Sequence, residues 1–389
     1  MEAYQSGRHF LQIPGPSNLP ERIARAISRS TIDHRGPEFV QLTHSLLERL
    51  GTIFATENPI IVYPSSARGA WEAALVNTLS AGEHVLFCDS GHFATLWSNV
   101  ANNLGLEVER LTGDWRLGVD PSAVEARLSE DREGRIKAVA LVHNETSTGV
   151  VNEIAAIRQA IDNAKHGALF MVDVVSSVGS MPYLHDEWQV DVTVAGSQKG
   201  LMLPPGLGFT AISSKALAAT QTAQLPRSYW DWNAVLSFNE RGLFPYTPAT
   251  NLLFGLDEAL TMLFEEGLES VFSRHKRLAS AARAAVRGWD LTLYCLNQAA
   301  YSPTLTGVLM PDGHDADAFR RTVLDRFNMS LGTGLGQVKG QLFRIGHLGD
   351  LNELMLAGTL SGVEMGLQLC DIPHRPGGIT KALDYLVRH

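Results

Sequence analysis

Short apolar runs alternate with longer amphipathic segments through the first half of the chain, and this alternation restricts the possible folds more than any other feature. Strands that alternate with helices pair in parallel, because each helix carries the chain back across the sheet before the next strand begins. Runs without polar alternation are typical of strands that are buried on both faces. The sequence therefore predicts an α/β fold with a mostly parallel sheet, whose strands are expected at Ile60–Tyr63, His84–Cys88, Ala138–Val142, Ala168–Val172 and Val190–Ala195.

A second set of elements begins near Glu266 and has a different order. Helical patterns alternate there with short strand-like pieces, which predicts a smaller α+β domain. The start of the chain is rich in proline and glycine, which indicates an irregular, extended entry. We therefore divide the chain into an extended segment at residues 1–20, a large domain at 21–262 and a small C-terminal domain at 263–389.

Composition excludes several classes of protein. Lys and Arg number 32 against 41 for Asp and Glu, so the net charge is −9, and nucleic-acid binding, which needs clustered positive charge, is not expected. No stretch approaches the roughly 18 consecutive apolar residues of a membrane span, and the N-terminus lacks the apolar region of a signal peptide. The three cysteines form no CxxC pair and the histidines show no metal-ligand spacing. We expect a cytoplasmic protein with free thiols, no bound metal and no membrane partner.

The residues that follow each apolar run are the first candidates for a site, since ligands bind at the carboxyl ends of the strands in parallel α/β sheets. After Ile60–Tyr63 the chain continues as PSSARG (64–69) and enters a helix. Free backbone N–H groups and the helix dipole at such a position suit a phosphate, with the Ser66 hydroxyl and the Arg68 guanidinium as further donors. An ordinary turn with a capping serine is the alternative interpretation.

Two charged residues follow the next strands of the predicted sheet. Asp173 ends an apolar run, where a carboxylate is costly unless a cation or strong hydrogen bonds stabilise it. Lys199 lies in the turn after Val190–Ala195, and a partly desolvated lysine can supply the amine for an imine. A helix cap for Asp173 and a surface position for Lys199 are the alternatives. Taken together, the amine, the carboxylate and the phosphate cradle match pyridoxal 5′-phosphate, which needs a carboxylate to keep its pyridine nitrogen protonated.

Longer motifs around these residues resemble class V aminotransferases, in particular the serine–glyoxylate and alanine–glyoxylate branch. The resemblance runs from about Phe10 to about Leu369. It implies a fold type I pyridoxal-phosphate transferase, with a large domain built on a mostly parallel seven-stranded sheet and a smaller α+β C-terminal domain. It also implies a homodimer with shared active sites. The motifs are HNETSTGV (143–150), VDVVSSVGS (172–180), VAGSQKGLMLPPGLG (194–208) and FRIGHLGDLNE (343–353).

The resemblance implies a role for each matching residue. Lys199 matches the lysine that forms the imine and moves the proton, and Asp173 matches the partner of the pyridinium nitrogen. Arg344 matches the arginine that binds the substrate carboxylate, a role that suits the bidentate guanidinium fork. The other implied cofactor contacts are Val175 and Phe93 on the two ring faces, Ser66, Ala67, Arg68 and Gln198 at the phosphate, Thr146 near the phenolic oxygen, and Thr247 at the phosphate of the neighbouring subunit.

The implied activity is a ping-pong transfer of an amino group. A small L-amino acid, serine or alanine, would donate the group, and glyoxylate or a similar small 2-oxo acid would receive it. Arg68 departs from the family, which usually has Ser-Gly-Thr where this chain has Ser66-Ala67-Arg68. A guanidinium at that place could strengthen phosphate binding or favour a second acidic group, so a donor such as aspartate is an alternative.

Other functions fit the sequence less well. A same-fold lyase of the cysteine desulfurase type needs a reactive cysteine on a loop before the carboxylate-binding arginine, and neither Cys295 nor Cys370 has that place. A non-catalytic binding module is disfavoured because Lys199 is present.

Three further features invite interpretation. The segment Gly332–Gly336 lacks the glycine spacing of a dinucleotide loop and is expected near the substrate entrance. His275, flanked by basic residues, is expected on a solvated helix face. His347 is a candidate for a hydrogen bond within the site.

Overall fold

The computed structural model describes residues 6–389, in which strands and helices alternate as the sequence predicts. Numbered along the chain, the strands are β1 (Phe10–Gln12), β2 (Ile60–Tyr63), β3 (His84–Asp89), β4 (Glu107–Thr112), β5 (Ile136–Val142), β6 (Asn144–Glu145), β7 (Val150–Val151), β8 (Leu169–Asp173), β9 (Val192–Gly196), β10 (Gly208–Ile212), β11 (Thr292–Leu293), β12 (Leu305–Leu309), β13 (Met329–Thr333) and β14 (Leu342–Gly346). The helices are α1 (Glu21–Ile27), α2 (Pro37–Phe54), α3 (Ala67–Thr78), α4 (His92–Asn103), α5 (Pro121–Glu130), α6 (Ile154–Asn163), α7 (Ser214–Ala219), α8 (Trp232–Asn239), α9 (Thr250–Glu266), α10 (Leu268–Gly288), α11 (Ala316–Phe327), α12 (Glu353–Leu369) and α13 (Gly378–Arg388).

The large sheet has seven strands in the order β2-β10-β9-β8-β5-β3-β4. Neighbouring strands pair in parallel except at β10, which is antiparallel to both β2 and β9. The predicted α/β fold with a mostly parallel seven-stranded sheet is thus confirmed. Because the parallel strands share one direction, their carboxyl ends meet at one edge of the sheet.

Helices cover both faces of this sheet, which explains why its central strands are uninterrupted apolar runs. Every residue of β8 is buried. Phe170 and Val172 belong to one hydrophobic cluster, together with residues of α2, α6 and α9. Leu169 and Met171 point to the other face and belong to a second cluster with α3 and α4. Alternate residues of one strand therefore enter two different cores.

The second sheet has the order β1-β13-β14-β12-β11. Its pairs are antiparallel except for β1, which runs parallel to β13. The N-terminal segment predicted as extended therefore supplies an edge strand of this sheet, while residues 1–5 of that segment lie outside the described residues. Leu278, Phe319, Leu360 and Ala382 pack together beneath the sheet in a core of their own. The domain boundary that we propose at residues 262–263 falls near the end of α9.

Several observed elements were not predicted, and these are β4, β6, β7, β10, α7, α8 and α13. Strand β4 is half-exposed at the edge of the large sheet and is rich in charged residues, so it gives no apolar run. Strand β10 follows a loop rich in proline and glycine, and its five residues carry little pattern of their own. Helix α13 lies in the C-terminal tail, where Ala382 joins the second core.

The expectation for His275 is wrong, because this residue is buried and not solvated. Its Nδ1 atom lies 2.7 Å from the Val271 carbonyl oxygen, and its Nε2 atom accepts a hydrogen bond from the Gly349 backbone N–H at 3.0 Å. Burial lowers the pKa of His275 to about 4, so the ring is neutral at pH 7. The charged residues on both sides of His275 made this part of the helix look solvent-exposed in the sequence.

Within residues 6–389, no helix combines the length and the apolar composition needed to cross a membrane. The same part of the chain contains no cluster of three or more His, Cys, Asp or Glu side chains arranged to hold a metal ion.

Candidate active site

A cavity of about 190 Å³ lies at the carboxyl edge of the large sheet. The strands explain why its walls converge: Val142 and Asp173 are the last residues of β5 and β8, and Lys199 lies in the turn after β9. Sequence reasoning named nine of the residues that line the cavity, and these are Ser66, Ala67, Arg68, Phe93, Thr146, Asp173, Val175, Gln198 and Lys199. It did not name Trp71, Leu96 and Val142, which complete the walls.

The Asp173 carboxylate is held rigidly and is 4% exposed. Its Oδ1 atom accepts a hydrogen bond from the Val175 backbone N–H at 2.8 Å, and its Oδ2 atom accepts one from Trp71 Nε1 at 2.6 Å. The Trp71 ring in turn stacks on Trp97 at 5.9 Å between centroids. Burial raises the pKa of Asp173 to about 7, against the opposing effect of the two hydrogen bonds. A cation placed against this carboxylate would stabilise its charged form.

Lys199 is 7% exposed and shares the cavity with Asp173. Its Nζ atom donates a hydrogen bond to the Pro14 carbonyl oxygen. Burial lowers the pKa of Lys199 to about 7, and the positive charge of Arg344 acts in the same direction. At neutral pH a large share of the amine is therefore unprotonated, and this is the form that attacks a carbonyl carbon.

Gly15 allows the N-terminal segment to approach Lys199 closely. The residue has a φ of +109°, and a Cβ atom there would overlap the Lys199 side chain. Both facts require glycine at this position. The contact joins residues that are far apart in the sequence, and no local pattern pointed to it.

The N-terminus of α3 forms the end of the cavity that suits an anion. Ser66 precedes the helix and makes no side-chain capping bond, so within residues 6–389 the backbone N–H groups of Ala67 and Arg68 remain available to a ligand. The Gln198 side chain lies near Ala67, beside the Cα of Gly196. Its Oε1 atom is buried and has no hydrogen-bond partner among residues 6–389. A buried amide oxygen without a partner at a helix N-terminus is a group prepared for a polar ligand.

Glu145 positions Phe93. The sequence analysis did not identify Glu145 as part of the site. Glu145 is fully buried, and its carboxylate accepts hydrogen bonds from the backbone N–H groups of Phe93 at 3.4 Å and Ala94 at 3.3 Å. The carboxylate thus caps the N-terminus of α4, where the preceding Gly91 has no side chain to do so. A Cβ on Gly91 would overlap Glu145. Phe93 is therefore held in the cavity wall by a residue on the hairpin after β5.

Arg344 lies beside the cavity and is 6% exposed. Its Nη1 atom donates to the Thr146 carbonyl oxygen at 2.6 Å, and its Nε atom donates to the Thr333 carbonyl oxygen at 2.8 Å. Both acceptors are neutral, and no carboxylate lies within 4 Å of the guanidinium in the described part of the chain. Burial lowers the pKa of Arg344 to about 10, which still leaves a cation at neutral pH. A buried cation without an anionic partner suits a substrate carboxylate.

The loop Gly332–Gly336 lies next to Arg344. A Cβ on Gly332 would overlap the Arg344 side chain, and one on Gly336 would lie 3.1 Å from the His92 ring.

His347 is buried and hydrogen-bonds to Thr306 Oγ1 at 2.9 Å and the Pro303 carbonyl oxygen at 3.0 Å, so its partners lie in the second sheet and the adjoining loop.

Thr247 and the cysteines lie outside the cavity. Thr247 is exposed and does not line the cavity of its own chain. Cys295 lines a separate, smaller cavity beside Arg283, and burial raises the pKa of its thiol. Cys88 is fully buried, and burial raises its pKa to about 12. None of these thiols is placed to act on a molecule that is bound at Lys199.

A protein-family model described as Aminotransferase class-V matches residues 15–339. The chain belongs to the class V aminotransferase family. It is 46% identical to a serine–glyoxylate aminotransferase of Methylorubrum extorquens, over 98% of this chain and 96% of that protein. It is 42% identical to an L-aspartate–glyoxylate aminotransferase of Paracoccus denitrificans, over 96% of this chain and 95% of that protein. The crystal structure of a ureidoglycine–glyoxylate aminotransferase from Bacillus subtilis superposes with a TM-score of 0.91 at 27% identity, over 99% of both chains.

These findings confirm the family resemblance and the fold type I architecture, and a class V aminotransferase implies pyridoxal 5′-phosphate as its cofactor. The cavity fits this group. Within residues 6–389, Asp173 is a buried carboxylate without a salt bridge, Lys199 is a buried amine with a lowered pKa, and Gln198 has a buried amide oxygen without a partner. Each of these groups is costly to bury alone, and a bound cofactor that pairs with it would lower that cost.

Proposed function

We propose that this aminotransferase binds pyridoxal 5′-phosphate through Lys199 and transfers the amino group of a small L-amino acid, such as serine, to glyoxylate or a similar small 2-oxo acid. The observation that carries the proposal is the convergence of Lys199, Asp173 and the N-terminus of α3 on one cavity, with Arg344 beside it. The named activities of the two relatives support glyoxylate as the acceptor, and they divide between serine and L-aspartate as the donor.

Each side chain contributes a distinct function in this proposal. Pyridoxal phosphate, when bound, supplies an electron sink that weakens the bonds at the Cα atom of the amino acid. Lys199 would hold the aldehyde group of the cofactor and would accept and return the Cα proton, for which a pKa near the working pH is suitable. Asp173 stabilises positive charge on the ring nitrogen. Arg344 binds the substrate carboxylate and so sets the direction of the Cα–H bond.

A panel of amino donors tests this function. We expect serine, alanine or aspartate to convert the bound cofactor to its amine form in a single turnover, and glyoxylate to reverse the change with release of glycine. Absorbance of the cofactor measures the first half-reaction, and chromatography of the glycine measures the second. L-lysine serves as the control donor, because its cationic side chain would meet the positive charges of Arg68 and Arg344. Conversion without any return of the cofactor by a small 2-oxo acid would contradict the proposal.

Arg344→Ala is expected to lower kcat/KM for every carboxylate donor by about 10- to 100-fold, mainly through KM. The estimate follows from the roughly 1.5–3 kcal/mol that a hydrogen bond to a charged group contributes. Steady-state kinetics with several donors checks it, and Arg344→Lys should retain part of the activity because it keeps the charge but loses the fork. Thermal unfolding separates this effect from loss of the contacts to Thr146 and Thr333. A loss confined to one donor would mean that Arg344 recognises a side chain.

We also propose a cytoplasmic homodimer with shared active sites. The exposed position of Thr247 supports this arrangement, because a residue outside the cavity of its own chain is available to the phosphate site of another subunit. Sedimentation with and without the cofactor measures the oligomeric state.

A further inference from the structure

Arg68 is the cavity residue whose contacts the proposed function does not explain. It is the second residue of α3 and lines the cavity together with Lys199 and Asp173. The residue is exposed, and within residues 6–389 its guanidinium has no ion pair, hydrogen bond or aromatic partner. A long cation without a protein partner, at the mouth of a binding cavity, is available to a ligand.

His92 lies at the end of the cavity that is closest to Arg344. His92 begins α4, and its ring lies against Gly336 in the loop beside Arg344. Burial lowers the pKa of His92, and the charges of Arg344 and then Arg68 lower it further. Both guanidinium groups therefore act on the same ring, at the end of the cavity where the substrate carboxylate is expected.

The phosphate end of the cavity does not require the Arg68 side chain. Ser66, Ala67 and Gln198 line the cavity there, and the Gln198 side chain lies near Ala67 at the start of α3. Backbone donors at a helix N-terminus are sufficient to bind a phosphate. The backbone of Arg68 can serve the phosphate while its side chain serves another ligand.

We propose that Arg68 binds a second carboxylate on the amino donor, so that this enzyme prefers a dicarboxylic amino acid such as aspartate over serine. The inference rests on the proposed function, since it concerns the donor for the same cavity. Arg344 would bind the α-carboxylate and Arg68 the side-chain carboxylate, each through charge-assisted hydrogen bonds. A serine hydroxyl cannot provide the anion that a guanidinium favours, and it would leave Arg68 to solvent.

The decisive comparison is Arg68→Thr against the wild type, both as holoenzymes. We expect kcat/KM for aspartate to fall by about 10- to 100-fold, and kcat/KM for serine to change by less than about threefold, which reverses or removes the preference. For Arg68→Lys, kcat/KM for aspartate should lie between the values of the wild type and Arg68→Thr, because lysine keeps the charge but loses the bidentate fork. Arg321→Thr, which changes an exposed arginine of α11, is the matched control and should leave both donors unchanged.

Binding of an unreactive dicarboxylate provides a readout that does not depend on turnover. Calorimetry should show that succinate binds the wild-type holoenzyme more tightly than butyrate does, and that Arg68→Thr removes the difference. Equal losses for aspartate and serine, together with faster release of the cofactor, would place Arg68 at the phosphate and overturn the inference. If neither donor reacts, the proposed function fails, and the succinate measurement still decides whether Arg68 binds a second carboxylate.

Discussion

Lys199→Ala is expected to reduce amino transfer by at least about 10⁴-fold. The upper range for a single general acid–base group is already about 10⁴, and Lys199 is proposed to hold the cofactor as well. The structure supports this large effect, because Lys199 is the only lysine among residues 6–389 that lines the cavity. The variant should also lose the visible absorption of the covalently held cofactor. Turnover kinetics and the absorption spectrum check the two effects separately.

Lys137→Ala is the matched control for this variant. Lys137 is exposed near the start of β5, while the cavity lies at the opposite end of that strand. Its removal should leave both the rate and the spectrum unchanged. Retention of most of the activity by Lys199→Ala, with a normal unfolding temperature, would refute the assignment of Lys199 and with it the proposed use of the cavity.

Asp173→Asn is expected to keep the cofactor while losing between about 10²- and 10⁴-fold in rate. A carboxylate at hydrogen-bond distance from a positive ring nitrogen contributes roughly 5 kcal/mol at an effective dielectric constant near 20, and a neutral amide lacks most of this term. Lys199 and the N-terminus of α3 remain in place, so the cofactor should stay bound. Single-turnover rates and cofactor content after gel filtration measure the two quantities.

Trp71→Phe helps to interpret the Asp173 variant. This change removes the indole hydrogen bond to Oδ2 and leaves the carboxylate, so it should reduce the rate much less than Asp173→Asn does. Asp325→Asn, on the exposed face of α11, is the surface control. Near-normal turnover in Asp173→Asn would show that the carboxylate serves the structure and not the chemistry.

The residues that sequence reasoning identified share a common physical origin. Asp173 and Lys199 each follow an apolar run, and the parallel arrangement brings the carboxyl ends of such runs to one edge. A polar residue at the end of an apolar strand is visible without any structure. The start of α3 is also visible, because Pro64, Ser65 and Ser66 before it mark a turn.

The residues that hold Asp173, Lys199 and Phe93 in place have no such signal in the local sequence. Trp71 contacts Asp173 across 102 positions, and Pro14 contacts Lys199 across 185. Glu145 caps α4 across 51 positions, and nothing in its own neighbourhood distinguishes it from a solvated glutamate. The burial of His275 among charged neighbours was likewise invisible in the helix pattern.

The order of apolar runs by itself determined the class of fold and the edge at which a ligand binds, because strand burial and parallel pairing follow from local composition. Only the tertiary structure decided how the charges at that edge are used. It placed Arg344 against Thr146 across 198 positions, and within the described part of the chain it left the Arg68 side chain without a partner at the mouth of the cavity. The pKa shifts of Asp173 and Lys199 also depend on burial, which no residue can acquire until distant segments close around it.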